Sequence, residues 1–315
     1  MGAVDPATVL WPFGRIPGPD RPGAVASNKG AHDAIPSSHA RPAPVTRVLV
    51  LSSMVAHGHV GLSAALPALQ ALGITTTGIP TTVLSNHPAW PYVAGTAVSA
   101  HQVSAMVRAL RSNGWLRGID AVLTGYLPTP DHVIEAAALI DTVRAESPMA
   151  RIVVDPVLGD TPKGLYLPEP TAKALRDRLL PLAEVITPNA FELGWLSGAP
   201  VETPADLTKA ARTLLDRHPQ RGMTVIATSA PAMAHRIATV SVSASETQRW
   251  TVLRKEAVPQ GTGDVFAALI AAGLSTGQAL GHLDALVSAS TGTPHLSIAE
   301  AARHWTAAPA LAPEN

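Results

Sequence analysis

From Arg47 onward, short apolar runs alternate with segments of helical period, and this alternation limits the fold more than any other feature of the chain. Val48-Leu49-Val50-Leu51 is an apolar strand ending at Ser52-Ser53, and residues 61–72 read as a helix stopped by Gly73. Further strands are predicted at 74–83, 121–124, 152–155, 185–187 and 224–228, separated by helices over 98–111, 131–145, 170–178, 190–196 and 204–216. Such an order predicts an α/β fold, a three-layer sandwich whose mainly parallel central sheet is covered by helices on both faces. After Thr228 the order changes: residues 237–242 and 250–253 predict an antiparallel pair, followed by helices from Gly261 and over 278–290.

Residues 1–45 are dense in Pro, Gly, Ala and Ser and carry neither a strand nor a helix period, which predicts a disordered extension outside the folded domain at 46–305. Residues 306–315 are expected to be a flexible tail. The chain has 23 basic and 23 acidic residues and no net charge, so no electrostatic case exists for nucleic acid or an anionic membrane. It has no cysteine, which removes disulfides and thiolate chemistry, and no apolar run approaches the ~18 residues of a membrane span. The expectation is a soluble cytoplasmic protein with a small-molecule ligand.

In sheets of this kind ligands collect at the carboxyl ends of the strands. Here those ends carry Ser52 and Ser53, Thr81, Thr124-Gly125-Tyr126, Asp155, Thr187-Pro188-Asn189, and Thr228-Ser229. Strands also end in polar turn-formers for structural reasons, so it is the repetition that favours a site. Gly261-Thr262-Gly263-Asp264 opens an apolar, Ala-rich helix. A glycine turn at a helix start can present several N–H groups to a phosphate, and an acid in that first turn can accept a proton from an attacking hydroxyl or simply cap the helix. Asp155 and Asp160 flank Pro156-Val157-Leu158-Gly159, and Glu192 lies one turn beyond Asn189. Asn189 and Glu192 fit a capping box as well as the outer shell of a magnesium site. Residues 159–168, with Lys163 between glycines and prolines, read as a surface loop able to close over phosphates.

Neither a Walker A motif, a complete dinucleotide fingerprint, H-E-x-x-H nor G-x-S-x-G occurs. His57-Gly58-His59 has no neighbouring acid or thiol, which favours packing or a substrate loop over a metal.

Together, Ser53-Met54-Val55-Ala56-His57-Gly58-His59-Val60-Gly61, Ser85-Asn86-His87, Thr124-Gly125-Tyr126, Asp155-Pro156-Val157-Leu158-Gly159-Asp160, Thr187-Pro188-Asn189-Ala190-Phe191-Glu192 and the Gly-Thr-Gly-Asp block resemble the pyridoxal kinase family of the ribokinase-like superfamily. The resemblance implies ATP-dependent phosphorylation of the 5′-hydroxymethyl group of pyridoxal, with Asp264 as general base and Gly261, Thr262 and Gly263 holding the transferring phosphoryl. It implies Ser53, Thr81, His87 and Tyr126 around the vitamin. Asp155, Thr187, Asn189, Thr228 and Ser229 would line the nucleotide side, with Asp155, Asp160 and Glu192 in the metal environment. Mg²⁺, a potassium ion and a homodimer are implied with them. Met54, Val83-Leu84 and Pro88-Ala89-Trp90 depart from the family pattern, so a hydroxymethylpyrimidine acceptor and a non-catalytic vitamin- or nucleotide-binding homologue stand as alternatives.

Overall fold

The computed structural model describes residues 45–219, 222–232 and 235–314, and the expected extension through residue 44 lies outside them. The strands are β1 (Arg47–Val55), β2 (Thr75–Leu84), β3 (Gly95–Ala97), β4 (Ala121–Thr124), β5 (Arg151–Val154), β6 (Gly159–Asp160), β7 (Gly164–Leu165), β8 (Val185–Ile186), β9 (Thr224–Ala232), β10 (Arg236–Val242) and β11 (Thr247–Leu253). Among the described residues, nine of them form one sheet in the order β11-β10-β9-β8-β5-β4-β1-β2-β3. The run from β2 through β9 is parallel, while β3, β10 and β11 are antiparallel to their neighbours. The predicted antiparallel pair is therefore part of a three-stranded antiparallel edge that includes β9. Residues 159–168, expected as a loop, instead contain the small β6–β7 hairpin.

The helices are α1 (Leu62–Ala71), α2 (Ala100–Ser112), α3 (Pro130–Glu146), α4 (Glu169–Ala174), α5 (Ala190–Ser197), α6 (Pro204–Arg217), α7 (Thr262–Ala271), α8 (Thr276–Ser290) and α9 (Ala302–Trp305). Strand alternation divides the core into two layers. Leu49, Leu51, Val122, Ile152 and Val154 pack against α2 to α6, whereas Val48, Val50, Ala121, Leu123 and Val153 pack against α1, α7 and α8. Every residue from Val265 to Ala271 is at most 2% exposed, so α7 is apolar all round and buried all round. Among the described residues no helix is long and apolar enough to cross a membrane.

The carboxyl-terminal segment departs from its expectation as a flexible tail. Leu311 N–H donates to the Gly277 carbonyl at 2.9 Å, Trp250 Nε1 donates to the Leu311 carbonyl at 3.1 Å, and Glu314 N–H donates to the Arg249 carbonyl at 2.7 Å. The segment lies so close to α8 that a Cβ on Gly277 or Gly281 would overlap the Leu311 or Pro309 carbonyl. Apolar periodicity did not mark it because its attachment is through backbone groups and small residues. Deleting residues 309–315 is expected to lower unfolding free energy by about 1–3 kcal/mol, the scale of one partly buried leucine and a lost buried hydrogen bond. Urea unfolding followed by tryptophan fluorescence measures this, and an unchanged midpoint would return the segment to the status of a free tail.

Candidate active site

The carboxyl ends of β1, β4 and β5 open onto a recess lined by Ser52, Gly61, Gly125, Asp155 and Asp264. α7 enters it amino-terminus first. Gly261, its N-cap, has φ 101°, which only glycine adopts freely, and a Cβ there would overlap the His59 carbonyl oxygen. Helices α2, α3, α5, α6 and α8 each have a side chain capping their first N–H groups, whereas α7 has none. The Thr262 and Gly263 amides are therefore available to an anion. Burial pushes the Asp264 carboxyl up to about 6, while N–H groups of Gly61 and of Asp264 itself hold it down. At neutral pH it is mostly ionised, as required of a base, although burial rather than the helix dipole sets its level.

Asp155 is buried, accepts a hydrogen bond from Thr187 Oγ1 at 3.0 Å, and has its pKa raised by burial and by the charges of Glu192 and Asp264. Asn189 and Glu192 form a reciprocal capping box at the start of α5. Both Glu192 oxygens are engaged by backbone: Oε2 accepts from Asn189 N–H at 2.8 Å and Oε1 from Leu158 N–H at 3.0 Å. Asn189 Nδ2 also donates to the Gly159 carbonyl at 2.8 Å, tying α5 to the turn that carries Asp160. Burial pushes Glu192 up to about 8, and the charge of Asp160 adds to the rise. Asp160 Oδ1 is buried with no hydrogen-bond partner. Asp155 and Glu192 are buried carboxylates whose pKa values neighbouring acids raise, and beside them Asp160 has an oxygen without a partner, a set that suits a divalent cation. Among the described residues, however, no three acidic or histidine side chains converge to cage one directly, so water-mediated contact is the mode this arrangement fits.

Thr228 pairs with Asn189 across an isolated bridge, and Ser229 follows with φ 62°, a left-handed conformation that serine rarely takes. The β9–β10 register shifts opposite this pair, turning Ser229 out to an exposed position. On the other side of the recess, the β1–β2 register shifts between Ser52 and Met54: Thr81 and Thr82 of β2 stand opposite Ser53 alone, and Ser53 backs onto Gly61. His87 is half-buried on the loop after β2, and burial together with the Lys163 charge lowers its pKa. Lys163, at the tip of the β6–β7 hairpin, thus acts electrostatically on the acceptor side.

Two expected residues sit differently. Thr81 is fully buried and its Oγ1 donates to the Tyr126 carbonyl at 2.7 Å, so it ties the end of β2 to the segment after β4. Tyr126 is half-buried among core residues, with its N–H donated to Ser52 Oγ at 3.1 Å. Sequence reasoning missed Tyr166, whose phenol hydrogen-bonds Asp160 and is raised in pKa chiefly by burial. Its position directly after the Gly164 turn was the available signal.

Because Glu192 titrates near pH 8 when folded and near ~4.3 when unfolded, the folded state carries an extra proton between those values and stability falls as pH rises through them. Glu192→Gln should flatten this slope by up to about 1.4 kcal/mol per pH unit. Urea unfolding between about pH 5.5 and 7.5 tests it; an equally steep slope in the variant would mean that Glu192 is already ionised in the fold.

The phosphomethylpyrimidine kinase sequence model matches residues 56–293. The chain is 34% identical to a pyridoxine/pyridoxal/pyridoxamine kinase from Bordetella avium, covering 74% of this chain and 79% of the relative. It is 32% identical to a pyridoxal kinase from Granulibacter bethesdensis, covering 70% and 79%. The solved pyridoxal kinase from Leishmania donovani in complex with ADP and pyridoxamine superposes with a TM-score of 0.78 at 30% identity, covering 86% of this chain and 100% of that one. By sequence model, relatives and fold alike, this chain belongs to the pyridoxal kinase family and is a phosphotransferase.

Proposed function

We propose that the protein transfers the γ-phosphoryl group of ATP to the 5′-hydroxymethyl group of pyridoxal or a close vitamer, serving vitamin B6 salvage. The observation that carries this reading is the uncapped amino-terminus of α7 with the Asp264 carboxylate in its first turn, in a recess at the ends of the strands that Ser52 and Asp155 also line. The relatives named for pyridoxine, pyridoxal and pyridoxamine, and the ADP complex among them, support both substrates.

Asp264 takes the proton from the acceptor hydroxyl as its oxygen forms a bond to the γ-phosphorus, and the bond to the ADP oxygen breaks. The amides of the Gly261–Asp264 turn bind the phosphoryl oxygens where charge gathers, inside a site of low dielectric. Asp155, Asp160 and Glu192 would hold Mg²⁺ through water, and the ion would supply charge neutralisation at the β- and γ-phosphate oxygens. Asn189, Thr228 and Ser229 form the nucleotide side, with Ser229 turned outward by its left-handed backbone. Ser53 and His87 orient the ring. Potassium is assigned as an accessory ion by the family resemblance.

A second acceptor reading is favoured by one observation. Met54 and Val83 are paired across β1 and β2 and are both about two-fifths exposed, an aliphatic lip suited to a smaller ring such as hydroxymethylpyrimidine.

A coupled ADP-release assay across pyridoxal, pyridoxine, pyridoxamine and hydroxymethylpyrimidine tests the function. Turnover of the vitamers above that of the pyrimidine is expected, and the reverse order would transfer the assignment to the pyrimidine. In the same assay Asp264→Asn should lower kcat by about 10²–10⁴-fold, and wild-type kcat/KM should fall below about pH 6 as the base protonates. A variant that keeps a third or more of wild-type kcat would remove Asp264 from the role.

The homodimer is assigned to the β2–β3 edge. Tyr92 (90% exposed), Val93 and Trp90 present apolar surface there on the segment between the two strands. Tyr92→Glu should shift sedimentation toward the monomer at micromolar concentration. An unchanged dimer, or a wild-type monomer, would place the interface elsewhere or remove it.

A further inference from the structure

A second recess beside the site is lined by His57, Gly58, His59, His87, Trp90 and His295. His295 Nε2 and His57 Nε2 are 2.9 Å apart with their rings perpendicular, so one ring donates and the other accepts. The close fit depends on Gly58, whose φ is 96° and whose missing Cβ would stand 2.9 Å from His295 Nδ1. His295 lies on a turn held at both ends. Thr293 Oγ1 donates to the His295 carbonyl at 2.6 Å or to the Ser290 carbonyl at 2.8 Å, and Ser297 N–H donates to Ser290 Oγ at 2.9 Å. Leu296 is buried beside Gly261, with its Cδ1 3.4 Å from where a Cβ would stand.

Residues 57–61 connect this pair to the chemistry in two places. The His59 carbonyl packs on Gly261, and the Gly61 N–H donates to the Asp264 carboxylate. We propose that His295 is a positioning residue for phosphoryl transfer, acting through His57 to hold the 57–61 loop on the Gly261 turn and thereby aim Asp264 and the phosphate-binding amides. Burial and the neighbouring His57 and His59 charges lower the pKa of His295, which favours the neutral ring able to accept this hydrogen bond. Among the described residues no three histidine or acidic side chains meet around a metal, which leaves the imidazole pair as a direct hydrogen-bonded clasp.

The inference rests on the phosphotransfer reading, so its test needs a readout independent of any acceptor. His295→Ala, His57→Ala, the double variant and His295→Gln are compared by amide hydrogen exchange over residues 258–266, by steady-state kinetics and by melting temperature. His295→Ala should speed exchange in that segment and lower kcat about tenfold while KM for ATP stays within about twofold, because misaiming reacting groups acts on the chemical step. The double variant should be no worse than either single one, since both remove the same contact. His295→Gln, which can still hydrogen-bond His57, should recover most of kcat. Unchanged exchange, additive losses, or a kcat loss matched by a general fall in melting temperature without Gln rescue would overturn the proposal. If exchange responds as expected but wild type phosphorylates no tested acceptor, the clasp stands and the acceptor reading fails.

Discussion

The burial of α7 is the constraint on which the rest of the structure depends. Its apolar, alanine-rich surface has no solvent face, so it packs against the sheet and against α1 and α8 at once. Enclosing it this way brings its first turn to the carboxyl ends of β1, β4 and β5, where parallel strands leave space. The free amides therefore act in a medium of low dielectric, where their pull on an anion is much stronger than in water. A side-chain cap would occupy those amides locally and close them to an anion.

The same enclosure creates an electrostatic conflict. Asp155, Glu192 and Asp264 are carboxylates held close together away from water, and the pKa of each is raised. Backbone N–H groups offset part of this: Asn189, Leu158 and Gly159 for Glu192, and Gly61 for Asp264. The partnerless Asp160 oxygen shows where compensation by protein groups ends. A cation would offset this crowding of negative charge without requiring a direct protein cage.

Irregularities in the sheet aim the remaining side chains. The β2 bulge opposite Ser53 and the left-handed Ser229 lie at opposite sides of the site, each where a strand register shifts. A regular strand would have turned the next side chain to the opposite face. The fold thus places its irregular backbone at the strand ends beside the recess and regular pairing behind them.

The order of strands and helices was legible in the sequence because each layer of the sandwich imposes its own apolar period, and the parallel strands β1, β4 and β5 appeared as apolar runs buried on both faces. Gly261-Thr262-Gly263-Asp264 was legible too, since a glycine turn and an acid at a helix start have local chemistry. The β6–β7 hairpin, the short β3 edge, the docked residues 309–314 and the role of Thr81 were not, because they are set by backbone contacts between distant segments that leave no periodic trace. The capping and metal-environment readings of Glu192 were equally open in sequence, and only the tertiary contacts of its two oxygens with Asn189 and Leu158 showed that it caps α5 while tying down the Asp160 turn. By itself the sequence determined the layer order, the parallel sheet and the glycine turn that opens α7, all products of local pattern. What only the tertiary structure decided was which polar ends face one another and how far burial shifts their charge, because proximity and dehydration exist only once the chain is folded.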